Sequence, residues 1–276
     1  MSKINLFGAS GHAKVIVDTI ENNGFYVGYI FDDNFIIDVF LLKFKFSQKH
    51  RCFINLKFYY TIMEKIAIIG AGGFGREVKM LIDQINNHEE RFEIVGFYDD
   101  DTKLPKIING IPYLGNIENL FNINKTISLV LGVGIPKIKR EIIKKLSNRN
   151  FKYPSLIHPN VYVGRDDVEI GNGCIICANT IITCNIKIVD FVTLNLSCTV
   201  GHDTFIDSYS SFMPSVNISG EVKINKKVYV GTGAKIINQL EIGENTIIGA
   251  GAVVTKNIPA NCTAVGTPAK PIKFHK

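Results

Sequence analysis

"IGNGCIICANTIITCNIKIVDFVTLNLSCTVGHDTFI" occupies residues 170–206, and its apolar residues return at a fixed interval of six. Ile170, Ile176, Ile182, Ile188, Leu194, Val200 and Ile206 fill the slot. It runs on through Phe212, Ile218, Ile224, Val230, Ile236, Ile242, Ile248 and Val254. All fifteen positions are aliphatic or Phe, with no slip. Two residues before most of them stands a small or β-branched residue, among them Cys174, Thr180, Val192, Cys198, Thr204, Ser210, Val216, Val222, Val228, Ala234, Thr246 and Ala252.

Neither the helical period of 3.6 nor the strand period of 2 fills one slot every six residues over this distance. A triangular solenoid does. Each six-residue unit makes one flat side and turns its aliphatic residue inward, so three units close a coil of 18 residues and fifteen units give five coils. Coils stacked at the strand spacing of about 4.8 Å make a prism roughly 24 Å tall. A sandwich of short strands would break the register with turns of irregular length.

The hexads, the "VGHD" at 200–203 and the tail "IGAGAVVTKNIPANCTAVGTPAKPIK" resemble the hexapeptide-repeat, left-handed β-helix acyltransferases. Within them they are similar to the branch that acetylates nucleotide-linked amino sugars or sialic acids, in which a small Rossmann-like domain precedes the β-helix. The resemblance covers residues 63–276. It implies a fold of an α/β Rossmann-like subdomain followed by an all-β left-handed parallel β-helix.

The segment from Met63 fits the first of these parts. Ile66–Ile69 reads as a strand, 76–86 as a helix and Phe92–Tyr98 as a second strand. Later come a strand over 127–131 and "GVGIPKIKREIIKKL", a turn entering a helix. This order calls for a small parallel sheet. Gly70, Gly72 and Gly75 satisfy G-x-G-x-x-G between strand and helix, a turn that can present backbone N–H groups to phosphate. The same motif suits an NAD-dependent oxidoreductase, but the segment of about ninety residues is too short for both halves of a dinucleotide fold. In the family resembled, this domain grips the acceptor. The resemblance implies acceptor contacts at Gly72, Gly73, Phe74, Asp99, Asp100 and Gly134. Where the family pattern often carries His, this chain has Phe74.

Residues 1–33 repeat that opening: "INLFGASGHAK" precedes "GYIFDD", as "IAIIGAGGFGRE" precedes "GFYDD". A strand, a turn and a helix are expected there, matching the first βαβ. Residues 35–62 then carry eight aromatics and one acid, without Gly, Pro or a clean period. A lone βαβ fragment cannot bury enough apolar surface to fold alone. The expected organisation is a partial, non-functional duplicate with an irregular linker over 1–62, a sugar-nucleotide-binding domain over 63–155, and the acyltransferase β-helix over 156–276.

Acyl transfer from a thioester needs a base for the acceptor proton and a donor for the oxyanion. Three histidines lie in the C-terminal half, His158, His202 and His275. His202, two residues past inward Val200, faces outward beside Asp203, which can fix its tautomer. The resemblance makes His202 the catalytic base. It also matches Gly220, 18 residues on, to the N–H that meets the acetyl carbonyl, and Asn195 to an acceptor contact. Asn195 also suits a corner with positive φ. The resemblance further implies that coenzyme A runs along a groove between subunits of a homotrimer, past Ser211, Gly220, Thr232 and Ala250 to Lys270.

A formal net charge of +6 with no basic-aromatic stripe in the C-terminal half argues against nucleic acid as a partner. No apolar run is long enough to span a bilayer, and six cysteines without a secretion signal suit reduced cytosolic thiols. Cys174-x-x-Cys177 lacks a second pair to complete a zinc set, so no metal is expected. The expectation is a cytoplasmic, homotrimeric enzyme transferring acetyl from acetyl-CoA to an amino or hydroxyl group of a nucleotide-linked sugar. A sialic acid O-acetyltransferase, an NAD-dependent oxidoreductase and a non-catalytic solenoid binding module are the alternatives.

Overall fold

In the computed structural model, residues 63–123 and 127–275 are described in full, and residues 3–6, 13–20, 25–32 and 35–43 as backbone strands. The chain divides into two compact units, Met1–Tyr59 and Tyr60–Lys276. In the first, β1 (Lys3–Leu6), β2 (Ala13–Ile20), β3 (Phe25–Asp32) and β4 (Phe35–Lys43) form an antiparallel sheet in chain order. The helix expected after the first glycine-rich turn is thus a strand, β2. Its residues explain the change: Val15, Ile16, Val17, Thr19 and Ile20 are β-branched, stiff at χ1 and suited to a pleated surface. Of the stretch expected to be irregular, β4 takes the first part, and residues 44–62 lie outside the described residues.

The second unit opens with β5 (Glu64–Ile69), α1 (Gly73–His88) and β6 (Phe92–Tyr98). A two-residue-stranded hairpin, β7 (Ile107–Ile108) and β8 (Ile111–Pro112), a short 3-10 helix (Ile117–Asn122), β9 (Ser128–Leu131) and α2 (Pro136–Leu146) follow. The parallel sheet has the order β6-β5-β9. Within central β5, 66–69 is a continuous apolar run because both its faces are covered. Ile66 and Ile68 pack with Val78, Leu81 and Ile82 of α1, whereas Ala67 and Ile69 pack with Ile142 and Leu146 of α2. The glycines make this closeness possible. A Cβ at Gly75 would lie 1.9 Å from the Gly70 carbonyl oxygen, and one at Gly132 would lie 2.6 Å from the Gly75 Cα.

From Leu156 onward the chain is a parallel solenoid of about six turns, of left-handed β-helix type, with short rungs, mostly of two residues, stacked into three sheets. The slot reads inward as expected: apart from partly buried Ile170, every member from Ile176 to Val254 is buried. The small-residue series from Cys174 to Ala252 is buried as well. A corner follows each side, and each corner turns on one residue with positive φ. Asp167, Gly173, Asn179, Asn185, Phe191, Ser197, Asp203 and Tyr209 begin a series that recurs every six residues to Gly251.

The sequence count of five coils misses one at the base. There the register is Leu156↔Ile175 and Tyr162↔Ile181, 19 residues apart, and the extra residue breaks the period. At the top the register shortens to 16, Ile248↔Ala264, before the hairpin Cys262–Gly266 with Ala269–Phe274 closes the stack. The sheet containing Ile175, Thr193 and Ser211 faces the α/β layer. Ile175 and Cys177 share a core with α1, and Phe191 shares one with α2.

Candidate active site

His202 lies on the edge between the second and third faces of the prism, just before the positive-φ residue Asp203 (φ 57°). The corner holds both side chains outward and half-exposed, with His202 Nδ1 2.7 Å from Asp203 Oδ2. Asn185, one coil below Asp203, donates from Nδ2 to Asp203 Oδ1 at 3.0 Å. Each carboxylate oxygen therefore has its own donor. The bonds from His202 and then Asn185 hold the Asp203 carboxyl below its ordinary pKa. An ionised Asp203 accepts, so Nδ1 carries a proton and Nε2 is the ring nitrogen left facing Gly220. In the neutral ring that is the tautomer a general base needs.

Gly220 sits one coil above. A Cβ there would meet His202 Nε2 at 2.4 Å and Cε1 at 2.5 Å, so the imidazole lies across a glycine because no other residue leaves room. Gly220 accepts from Gln239 N through its carbonyl, while its N–H has no hydrogen-bond partner among the described residues. An imidazole and a glycine with an unpaired N–H thus stand side by side. Asn185 was missed by sequence reasoning; the signal was its spacing, 18 residues before Asp203.

The remaining expected residues fall elsewhere. Asn195, Thr232 and Ala250 lie along the neighbouring edge, one face away from His202. Asn195 is nearly buried, with Oδ1 accepting from Leu196 N at 2.7 Å. Its φ is not positive, and the corner turns on Ser197 instead. Thr232 and Ala250 are exposed and stack on successive coils, as is Lys270 in the terminal hairpin. Ser211 corrects an expectation: it is fully buried on the face covered by the α/β layer, its Oγ unpartnered, and it offers no surface to coenzyme A.

In the α/β layer, Gly72 and Gly73 are open, with no atom within 4 Å of a Cβ placed on either. Phe74 turns inward, packing against the core that holds Val78 and Ile82. Asp99 braces the glycine-rich turn, since Oδ2 accepts from Ala71 N at 2.7 Å and Oδ1 from Asp101 N at 2.9 Å. Asp100 Oδ1 accepts from Ile117 N at 3.0 Å, at the start of the 3-10 helix. Gly134 reaches the solenoid, where a Cβ on it would lie 3.8 Å from Met213 Cε. Burial pushes the Cys174 thiol up to about 11 and the Cys177 thiol up to about 12, so neither is a ready thiolate. Among the described residues no group of three or more His, Cys, Asp or Glu is placed to hold a metal.

Comparisons with known proteins identify relatives of the chain. The family model of the PglD N-terminal domain matches residues 3–57 and again 65–146, and the bacterial transferase hexapeptide model matches 221–256. GDP-perosamine N-acetyltransferase of Escherichia coli O157:H7 is 33% identical over 219 residues, 76% of this chain and 97% of the relative. The acetyltransferase domain of PglB from Neisseria gonorrhoeae FA1090, solved with acetyl coenzyme A, is 30% identical. It superposes with a TM-score of 0.69 over 76% of this chain and all of that one. PerB from Caulobacter crescentus, solved with CoA and GDP-perosamine, is 25% identical with a TM-score of 0.68, covering 78% of this chain and all of that one.

With this β-helix and these relatives, the chain is an acyltransferase of the hexapeptide class. More narrowly, the chain belongs to the hexapeptide-repeat sugar acetyltransferases that carry a PglD N-terminal domain.

Proposed function

We propose that the chain transfers acetyl from acetyl-CoA to the amino group of a nucleotide-linked amino sugar. The observation that carries the reading is the juxtaposition of the Asp203-held His202 Nε2 with Gly220. His202 takes the proton from the acceptor amine as nitrogen attacks the thioester carbonyl. The Gly220 N–H stabilises the oxyanion, and the thiolate of coenzyme A leaves. The glycine-rich turn, with open Gly72 and Gly73, binds the acceptor, whose recognition is shared with Asp99, Asp100, Gly134 and Asn195. Inward-packed Phe74 leaves the acceptor without an imidazole partner at that position.

Thr232, Ala250 and Lys270 bind coenzyme A. They share an edge, or its cap, that the same chain's His202 does not reach, and this split supports a homotrimer with sites between copies. Such an enzyme draws on cytoplasmic acetyl-CoA and serves glycan biosynthesis. Residues 1–62, where the N-terminal family model matches a second time, are a partial copy that takes no part in the reaction.

The test is coenzyme A release by the full chain, followed by chromatography, with acetyl-CoA and a panel of GDP-perosamine, UDP-linked amino sugars and free sialic acids. Release that requires an amino sugar and falls by about 10²–10⁴-fold in His202→Ala supports the reading. Release unaffected by that substitution removes the mechanism, and release with sialic acid alone replaces the acceptor class.

A further inference from the structure

Among the described residues Lys139 is the only Lys, Arg, Asp or Glu that the structure buries. It is the fourth residue of α2, whose other cations, Lys137, Arg140, Lys144 and Lys145, are all exposed. Nothing in the helix calls for it there, since a cation near a helix N-terminus opposes the dipole. Nor does packing, because a methionine would fill similar volume without desolvating an amine.

What the amine does is visible in its partners, all three of which belong to the solenoid. Nζ donates to Phe191 O at 2.7 Å, to Thr193 Oγ1 at 3.2 Å and to Ser210 O at 3.2 Å. All three partners are acceptors, and among the described residues the amine has no partner outside the solenoid. Phe191 is itself held, stacked on Tyr209 at 5.3 Å and edge-on to Tyr153. Thr193 belongs to the coil that carries Asn195, and Ser210, one coil above, to the coil that carries Met213. Five residues before Lys139 stands Gly134, against Met213.

We propose that Lys139 is a positioning residue: its three bonds to the solenoid fix α2 and the Gly132–Gly134 turn, and with them the nucleotide part of the acceptor, relative to the β-helix that carries His202. A purely apolar joint would let α2 slide over this face, whereas three directional acceptors admit one placement. The proposal rests on the acetyltransferase reading for its effect on the acceptor, but not for the latch itself.

Two variants test it. Lys139→Met removes all three bonds, and Thr193→Val removes one with almost no change of volume. The full chain is measured in three ways: backbone hydrogen exchange, KM for the best acceptor of the panel, and KM for acetyl-CoA. The expected result is exchange across 137–146 at least tenfold faster in Lys139→Met, with α1 amides unchanged. Acceptor KM should rise about tenfold and acetyl-CoA KM stay within twofold, with a smaller shift in the same direction for Thr193→Val. Unchanged exchange in both variants overturns the latch. Faster exchange with acceptor KM unchanged overturns the positioning role and leaves a structural bond. If the unaltered protein turns over no acceptor, the acetyltransferase reading has failed, and exchange alone decides the latch. Should Lys139→Met not fold, Thr193→Val carries the same comparison.

Discussion

Gly220→Ala tests the site with a single methyl group. That methyl would stand 2.4 Å from His202 Nε2, 2.5 Å from Cε1 and 2.9 Å from Cδ2. Carbon needs about 3.5 Å to a non-bonded neighbour, so the imidazole must retreat by about 1 Å. The half-exposed ring has room to swing away, but that move strains its 2.7 Å bond to Asp203, which Asn185 ties from the other side. A displacement of about 1 Å at a catalytic group costs on the order of 100-fold, or about 2.7 kcal/mol of transition-state stabilisation. The backbone gives no reason for a loss of stability, since Gly220 is not in the positive-φ region. There Ala adds roughly 0.4–1 kcal/mol by restricting the unfolded chain. Thiol release under kcat/KM conditions, paired with thermal unfolding, reads both quantities. A folded variant with kcat/KM within threefold of the parent would refute the placement of the chemistry at this ring. A variant that loses activity only because it melts would refute the account of the glycine.

Lys139 also predicts how stability follows pH. Burial pulls its amine from an ordinary 10.5 down to about 7. Between those values the unfolded chain holds a proton that the folded one does not, so stability rises with pH across the window. The burial cost is fully present below pH 7 and absent above 10.5. From pH 7 to 9 the rise is at most about 2.7 kcal/mol by linkage, and urea titrations of Lys139→Met should show that slope removed. Phe212, the one aromatic in the inward slot, is completely buried. Phe212→Ala should cost about 3–5 kcal/mol in thermal or urea unfolding, and a smaller loss would mean that the coils close over the cavity.

The hexad was legible because a solenoid interior imposes one demand, an inward apolar side chain, at one interval. The coils at the two ends escaped it for the same reason. A corner can absorb an added or missing residue without moving any inward side chain, and the registers of 19 and 16 do so. His202 and Gly220 were singled out by resemblance to a family, and the structure places them, with Asp203, one coil and one residue apart. Asn185 shares the one-coil spacing, yet an Asn at a corner looks like any residue suited to positive φ. Lys139 was invisible for a different reason. In "PKIKREIIKKL" five cations look alike, and which one is buried depends on a surface more than fifty residues away. Ser211 failed in the opposite sense: its place in the repeat is right, but the repeat says nothing about which face another layer covers. In residues 13–20, β-branched content outweighed the likeness to a helical opening.

The six-residue corner makes chain length a phase angle. Each hexad advances the backbone by a third of a turn, so the residues between the face that docks the α/β layer and His202 set where the base points as well as how high it stands. Removing six residues between Thr193 and His202 would carry the imidazole to another edge. Removing eighteen between the docked coils and His202 would keep its bearing and change only its height. Such a molecule can be lengthened or shortened by whole turns with its edges in register, while smaller changes rotate one half of the machine against the other. The edges of the stack are then matched by counting residues, much as meshed gears are matched by counting teeth.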